Sequence, residues 1–220
     1  MTATGALAAL LSCSDTASTA DRFGEDDASI HRDGSIVQPA DGASIDAGSG
    51  PGPAPKCESY CDSVLDSCKS GLAQYASRSE CLAFCARLPA GRAGETQGNS
   101  VACRQFYAGS PSKTDAVGYC GAAGPFGGGG ICGDRCPVFC ALAVGACAPD
   151  AGAAPYGSYP DCQTACLGFA FKDGGVDGGG EAPTGPTSGN TFNCRLFYLR
   201  EAVTSGTSCE NLGADSGACR

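Results

Sequence analysis

Sixteen of the seventeen cysteines fall into two sets with nearly the same spacing, and this pattern constrains the fold more than any other feature. In both sets three and then six residues separate the first three cysteines, and three residues separate the fourth from the fifth. Around the sixth cysteine, TQGNSVACRQFY at 96–107 matches TSGNTFNCRLFY at 187–198 at seven of twelve positions. Such self-similarity predicts a tandem duplication, with eight-cysteine copies at 57–132 and 136–219. The first set is Cys57, Cys61, Cys68, Cys81, Cys85, Cys103, Cys120 and Cys132, and the second is Cys136, Cys140, Cys147, Cys162, Cys166, Cys194, Cys209 and Cys219.

The cysteine region is poor in the residues that fill ordinary hydrophobic cores. Leu, Ile, Val and Phe account for 25 of the 163 residues from 57 to 219, and the chain has no Trp. A share below roughly 20% is typical of chains that cannot fold by burial alone. We therefore predict that the sixteen cysteines form disulfides, which stabilise a fold by roughly 2–4 kcal/mol each and persist in oxidising compartments. Zinc binding is the alternative, but zinc sites favour CxxC and histidine ligands, whereas the spacing here is Cys-x3-Cys and His31 is the single histidine.

The short gaps between cysteines follow the period of an α-helix. Cys57, Cys61 and Cys68 fall on one helix face, and the second set repeats their spacing. The Cys-x3-Cys pairs that come next indicate second helices. A third helix is predicted to begin at Ser100 in one copy and Thr191 in the other, because both residue types cap helix N-termini. Strand patterns are nearly absent, so the predicted fold class is small, disulfide-rich and mainly α, with two tandem helical-hairpin-based domains and long Gly-rich loops.

Two antiparallel helices that each carry Cys-x3-Cys resemble the α-hairpinin arrangement. In that family the outer cysteine of one helix pairs with the outer cysteine of the other, and the inner cysteine pairs with the inner one. The resemblance implies the bridges Cys57–Cys85, Cys61–Cys81, Cys136–Cys166 and Cys140–Cys162. The pairing of the other four cysteines in each set stays open, since eight cysteines permit many pairings.

The first thirteen residues contain a short apolar run that ends in a cysteine. Residues 4–12, TGALAALLS, are too few to span a bilayer but suit the core of a signal peptide, which we predict at 1–12. No Lys or Arg precedes the run, and we expect the positively charged region of the signal to be incomplete in this sequence. Leu10-Leu11-Ser12-Cys13 resembles the lipobox of bacterial lipoproteins, which implies cleavage before Cys13 and a diacylglycerol on its sulfur. The alternative is an apolar start with an incidental cysteine.

The odd number of cysteines favours the lipid interpretation. Cys13 is the one cysteine outside the two sets, and a lipid on its sulfur leaves sixteen thiols to pair. Ser14 stands where lipoproteins retained at the inner membrane tend to have Asp, so the resemblance implies a cell-envelope protein at the outer membrane, held through its N-terminal lipid. Residues 13–56 are rich in Asp, Gly, Ala, Ser and Pro, which predicts a lipid-attachment cysteine followed by a disordered acidic tether.

The whole pattern from 57 to 219 resembles bacterial cysteine-rich tandem-repeat lipoproteins. In that group the motif Cys-Arg-x-aromatic is often followed by His, with further His residues around the next cysteine. Here Tyr107 and Tyr198 stand at the first of these positions, and Tyr119 and Ser208 precede the next cysteines. If the group binds metal through those positions, this chain is expected to have no metal site.

Apart from the cysteines, the repeated side chains that are long and charged enough to contact a ligand are two arginines. Arg104 and Arg195 follow the sixth cysteine of each set, and the aromatic residues after them end in Tyr107 and Tyr198. One interpretation is a ligand contact formed by these four residues. The favoured interpretation is structural, with the arginine stem packed over an aromatic ring and its guanidinium on carbonyl groups at a helix end.

Composition excludes some functions. His31 lies in the predicted tether, so the cysteine sets contain no histidine for acid–base catalysis, and the net charge of −9 argues against nucleic-acid binding. We expect a non-catalytic, lipid-anchored cell-envelope protein without a cofactor, whose rigid disulfide-stapled module has a structural role or binds an envelope or extracellular protein or a glycan. The alternative is an envelope metal or haem binding protein. An enzyme would need carboxylates or tyrosines to act alone.

Overall fold

The regular secondary structure of the described residues is helical. A computed structural model describes residues 53–147, 154–172 and 181–220, so Cys13, the predicted signal peptide and nearly all of the predicted tether lie outside the described residues. Within the described ranges the β-structure consists of one isolated bridge, between Ala170 and Thr191. The predicted small, disulfide-rich, mainly α class is confirmed. The α-helices are α1 Cys57–Ser67, α2 Arg78–Cys85, α3 Val101–Ala108, α4 Ser110–Thr114, α5 Ala116–Ala123, α6 Arg135–Ala146, α7 Tyr159–Leu167 and α8 Phe192–Ser205, and two 3-10 helices cover Ser70–Leu72 and Cys209–Asn211.

None of these helices combines the length and the apolar character that crossing a bilayer requires.

Eight disulfides join the helices, and the two cysteine sets are paired in the same order. In each set the first cysteine pairs with the fifth, the second with the fourth, the third with the seventh and the sixth with the eighth. The first two pairs are those that the α-hairpinin resemblance implies. The other two give the pairing of the four cysteines in each set that the sequence leaves open. The bridges are Cys57–Cys85, Cys61–Cys81, Cys68–Cys120, Cys103–Cys132, Cys136–Cys166, Cys140–Cys162, Cys147–Cys209 and Cys194–Cys219.

The third helix of each set begins at a capping hydroxyl. The Ser100 side chain accepts a hydrogen bond from the backbone N–H of Cys103, and Thr191 accepts one from Cys194. These bonds satisfy a backbone donor that has no partner within the first turn of the helix. Each cap therefore holds the sixth cysteine of its set in the first turn of α3 or α8, where it forms its bridge.

The third helix is broken in the first set and continuous in the second. Counted from the sixth cysteine, α3 and α4 together occupy the positions of α8. Gly109 lies between α3 and α4, and Pro111 in the first turn of α4 has no N–H to continue the helical hydrogen bonds. Arg200 and Ala202 stand at the corresponding positions of α8 and permit an unbroken helix.

Both cysteine sets belong to one compact unit, residues 46–220. The junction between them includes Gly133, whose φ of 110° lies in the region that favours glycine. A Cβ at Gly133 would lie 2.7 Å from the side chain of Val138, so the junction also needs a residue without a side chain. Helix α8 of the second set packs against α2 of the first. The buried core is continuous across both sets, from Tyr60 to Leu212.

Candidate functional site: an exposed aromatic face

Arg104, the first of the two motif arginines, forms its hydrogen bonds inside the fold. The Arg104 side chain is fully buried. Its guanidinium donates hydrogen bonds to three backbone carbonyls, those of Ser100, Gly124 and Pro125, each at 3.0 Å. Burial away from water lowers the pKa of Arg104. The side chain therefore ties the loop after α5 to the N-terminus of α3 and has no surface for a ligand.

The second motif arginine repeats this geometry. Arg195 is fully buried and donates to the carbonyl of Thr191, four residues earlier, at 2.9 Å and to the carbonyl of Gly213 at 3.3 Å. A further bond reaches Oδ1 of Asn190, and the guanidinium carbon lies 3.6 Å from the centre of the Phe169 ring. These contacts correspond to the structural interpretation of the motif rather than to a ligand contact.

The two motif tyrosines lie in different surroundings. The Tyr107 ring stacks on Tyr119, with ring centres 5.5 Å apart and an angle of 25° between the planes, and Phe106 meets its edge at 5.1 Å. Tyr198 instead donates its hydroxyl hydrogen to the carbonyl of Thr187 at 3.1 Å. Each tyrosine meets the phenylalanine that precedes it edge to face, but Tyr107 also stacks on a second tyrosine, whereas the Tyr198 hydroxyl is bonded to a nearby loop.

The rings around Tyr107 border an open cavity of about 570 Å³. Phe106 is 43% exposed and Tyr119 is 37% exposed, although large apolar side chains are normally buried. We call this surface the aromatic face. It comprises Phe106, Tyr107, Ser110, Pro111, Thr114 and Tyr119.

The break between α3 and α4 creates the aromatic face. Helix α3 ends before Gly109, and α4 packs against α5. Asp115 caps α5 by accepting a hydrogen bond from the N–H of Gly118 at 2.9 Å, which places Tyr119 in the first turns of α5. The repeated motif points to Tyr107 but not to the roles of Phe106 and Tyr119. The available signal was the sequence GSP at 109–111, where the second set has a continuous helix.

A buried ionic cluster lies where the two cysteine sets meet. Nη1 of Arg200 is 2.7 Å from Oε1 of Glu80, and both side chains are below 10% exposed. Nη2 of Arg200 donates to the carbonyl of Glu181 at 2.6 Å, and the Glu181 carboxylate accepts a hydrogen bond from Arg135 at 3.0 Å. Burial raises the pKa of Glu181, and the neighbouring Arg135 opposes that rise. These charged groups are paired with one another and are not directed into the aromatic face.

In the parts of the chain that the structure describes, no group of three or more His, Cys, Asp or Glu side chains is arranged to hold a metal ion.

Comparison with known proteins gives one family match. Residues 55–135 match the model of the BfoA family C-terminal domain. The matched range contains the first cysteine set and the junction, and the second set, which begins at Cys136, lies entirely beyond it. No curated protein and no solved structure matches the chain. The match and the disulfide-bonded cysteines together support similarity to a cysteine-rich family.

Proposed function

We propose that this protein is a non-catalytic, lipid-anchored protein of the cell envelope that displays a disulfide-stapled binding module. The observation that carries the proposal is the aromatic face, a cavity bordered by exposed rings on a scaffold that eight bridges hold together. Exposed aromatic clusters are uncommon on soluble proteins and mark interaction sites. Aromatic residues also contribute much of the binding energy at protein interfaces.

The chemistry of the aromatic face favours binding over catalysis. Its six residues are three rings, a proline and the hydroxyl residues Ser110 and Thr114. None of the six carries a carboxylate, amine or imidazole that would transfer a proton near neutral pH. The guanidinium groups of the two motif arginines, Arg104 and Arg195, already donate hydrogen bonds to backbone carbonyls.

The pairing of sixteen cysteines supports an extracytoplasmic location. Disulfides persist in oxidising compartments such as the bacterial periplasm. With both cysteine sets fully paired, Cys13 is the one thiol left for another use, and its lipobox-like context supports lipid attachment. Ser14, in the position after the lipid, supports the outer membrane as the destination.

Lipid attachment is tested by metabolic labelling. We expect the full chain expressed in the producing bacterium to incorporate labelled palmitate and to partition into detergent. The Cys13→Ala variant is expected to do neither. Equal labelling of the two proteins contradicts the proposed anchor.

The binding role is tested with envelopes isolated from the producing cells. The full chain is used with Cys13→Ala, so that a lipid does not contribute to retention. We expect Phe106→Ser and Tyr119→Ser to bind envelopes at least about tenfold more weakly than the parent, as is typical of interface residues with large contributions. Val144→Ser, which changes an exposed apolar residue of α6 outside the aromatic face, is the matched control. Retention that is equal in all four proteins refutes the aromatic face as the binding surface.

A further inference from the structure

The contact between the two cysteine sets joins a specific pair of helix faces. Helix α8 packs against α2, and a groove at this contact is lined by Phe197, Arg200 and Thr204 of α8 and by Glu80 and Ala83 of α2. The Arg200–Glu80 ion pair, at 2.7 Å, crosses this contact. Glu80 is 7% exposed as a result, and Phe197 is partly covered.

The sequence positions that form this contact occur a second time in the chain, on α3, α4 and α7, where the side chains compared below are exposed. Counted from the sixth cysteine, Phe106 and Lys113 of the first set correspond to Phe197 and Thr204 of α8. Phe106 is exposed, and it belongs to the aromatic face. The counterpart of an inter-set contact surface is thus open to solvent on the first set.

Helix α7 carries the counterpart of the α2 face. Counted from the fourth cysteine, Asp161 corresponds to Glu80 and Thr164 corresponds to Ala83. Both α7 residues are exposed, whereas Glu80 is buried. Leu167, one helical turn after Thr164, is 79% exposed. We call the surface formed by Asp161, Thr164 and Leu167 the α7 face.

We infer that the aromatic face of one molecule binds the α7 face of a second copy of this chain, so that copies associate head to tail. The inference rests on the proposed function, because it names the partner of the aromatic face. In a tandem array each unit contacts its neighbours through one pair of surfaces, so an array without capping units leaves one surface of that pair free at each end. An interface between two different surfaces of the same chain joins molecules head to tail rather than as a closed pair, unless the rotation forms a ring.

Charge and apolar character fit this pairing. The internal contact combines an acidic group on α2 with a basic group on α8. The exposed faces offer Asp161 on α7 and Lys113 on α4, whose Nζ lies 3.8 Å from the exposed carboxylate of Asp66. Phe106 and Tyr119 supply exposed apolar area on one side, and Leu167 supplies it on the other. Gly109 stands where α8 has Arg200, so the buried ion pair has no equivalent between molecules. We therefore expect association that is reversible and concentration-dependent.

The test is sedimentation velocity of the full chain over a wide range of concentrations. Cys13→Ala is included to remove association through lipid. The parent is expected to form larger species as its concentration rises. Phe106→Asp and Leu167→Asp are each expected to shift this association to at least about tenfold higher concentration. Val144→Asp, outside both faces, is expected to associate like the parent.

A mixture of the two variants distinguishes head-to-tail association from other arrangements. Phe106→Asp retains an intact α7 face and Leu167→Asp retains an intact aromatic face, so an equimolar mixture is expected to form dimers that neither variant forms alone. This rescue also shows that both variants are folded. A parent that remains monomeric, or a mixture that forms no dimer, overturns the inference. Envelope binding that depends on Phe106 while the parent is monomeric retains the proposed function and rejects only the second copy as its partner.

Discussion

Replacing Arg200 by Met tests whether the buried ion pair holds the two cysteine sets together. The guanidinium donates to the carbonyl of Gln74 at 3.0 Å, to Oε1 of Glu80 at 2.7 Å and to the carbonyl of Glu181 at 2.6 Å. The substitution to Met keeps a long apolar stem at this position and removes the positive charge and all three hydrogen bonds. Glu80 would then be buried without its cation, and two buried carbonyls would lose a donor.

The free energy of unfolding is expected to fall by about 3–4 kcal/mol. Removing one partner of a buried ion pair costs about 3–5 kcal/mol, because the other charge is left uncompensated. The lower part of that range applies, since Oε2 of Glu80 still accepts a hydrogen bond from the N–H of Ala76 at 2.6 Å.

Arg87→Met is the matched control. Arg87 also reaches across the two sets, to the carbonyl of Gly145 at 2.7 Å, but it is exposed. Its loss is expected to cost less than about 1.5 kcal/mol, the usual upper value for one hydrogen bond.

Equilibrium unfolding in guanidinium chloride, followed by circular dichroism with the disulfides oxidised, measures both values. The denaturant slopes should agree between variants, so that a change in midpoint reports a change in stability. A double variant with Glu80→Gln should lose less stability than the two single variants combined, because the same pair is broken in both. A loss for Arg200→Met no greater than that for Arg87→Met would refute the reasoning.

Three further predictions address the bridges, the buried tyrosine and the motif arginine. Replacing both cysteines of the Cys147–Cys209 bridge by Ser is expected to cost about 1 kcal/mol more in unfolding free energy than replacing those of Cys61–Cys81, because the bridged residues are 62 rather than 20 positions apart. Burial raises the pKa of Tyr60 to about 12 from an unfolded value near 10, so the contribution of this tyrosine to stability is complete below pH 10 and is lost as the pH rises toward 12. Phenolate absorbance and circular dichroism should therefore change together over this range. Titration of every tyrosine near pH 10 in the folded protein would contradict this prediction. Arg104→Lys is expected to lower the free energy of unfolding by about 2–4 kcal/mol, since an ammonium group cannot reproduce three fixed guanidinium bonds to carbonyls, and unchanged thermal stability would show that the motif is not structural.

The helices were predictable because their signals are local. The spacing of Cys57, Cys61 and Cys68 follows one helix face, and α1 covers the first two of them and ends just before the third. Ser100 and Thr191 are capping residues in sequence and in structure, because a side-chain hydroxyl three residues before a free backbone N–H is placed to accept its hydrogen bond. Within a helix, sequence distance determines spatial distance.

The distant bridges were not predictable for the opposite reason. Cys68 pairs with Cys120 across 52 positions, and Cys147 pairs with Cys209 across 62. Gly-rich and Pro-rich segments within these spans permit many closures of similar entropy, so spacing alone does not select one partner. The buried role of Arg104 depends on the loop carbonyl of Gly124, 20 positions along the chain, which reaches the side chain because α5 packs against α3.

The features that the two cysteine sets share are those used to build the fold. The shared motif of cysteine, arginine and aromatic residues places Arg104 and Arg195 on backbone carbonyls in the interior, where a ligand has no access. The repetition that makes this motif conspicuous in the sequence therefore reflects a structural requirement that each set must meet separately.

The two sets differ at the surface of the third helix. In the second set Arg200 continues the helix and completes a buried contact with α2, so that face is occupied within the molecule. In the first set Gly109 and Pro111 break the helix, remove the charged side chain and leave Phe106 and Tyr119 at the surface. A side chain at position 109 able to reach an acidic partner would have made the face a second copy of the internal contact. Glycine at this position provides no side chain for an ion pair, and the apolar surface beside it is the one that we propose binds a separate molecule.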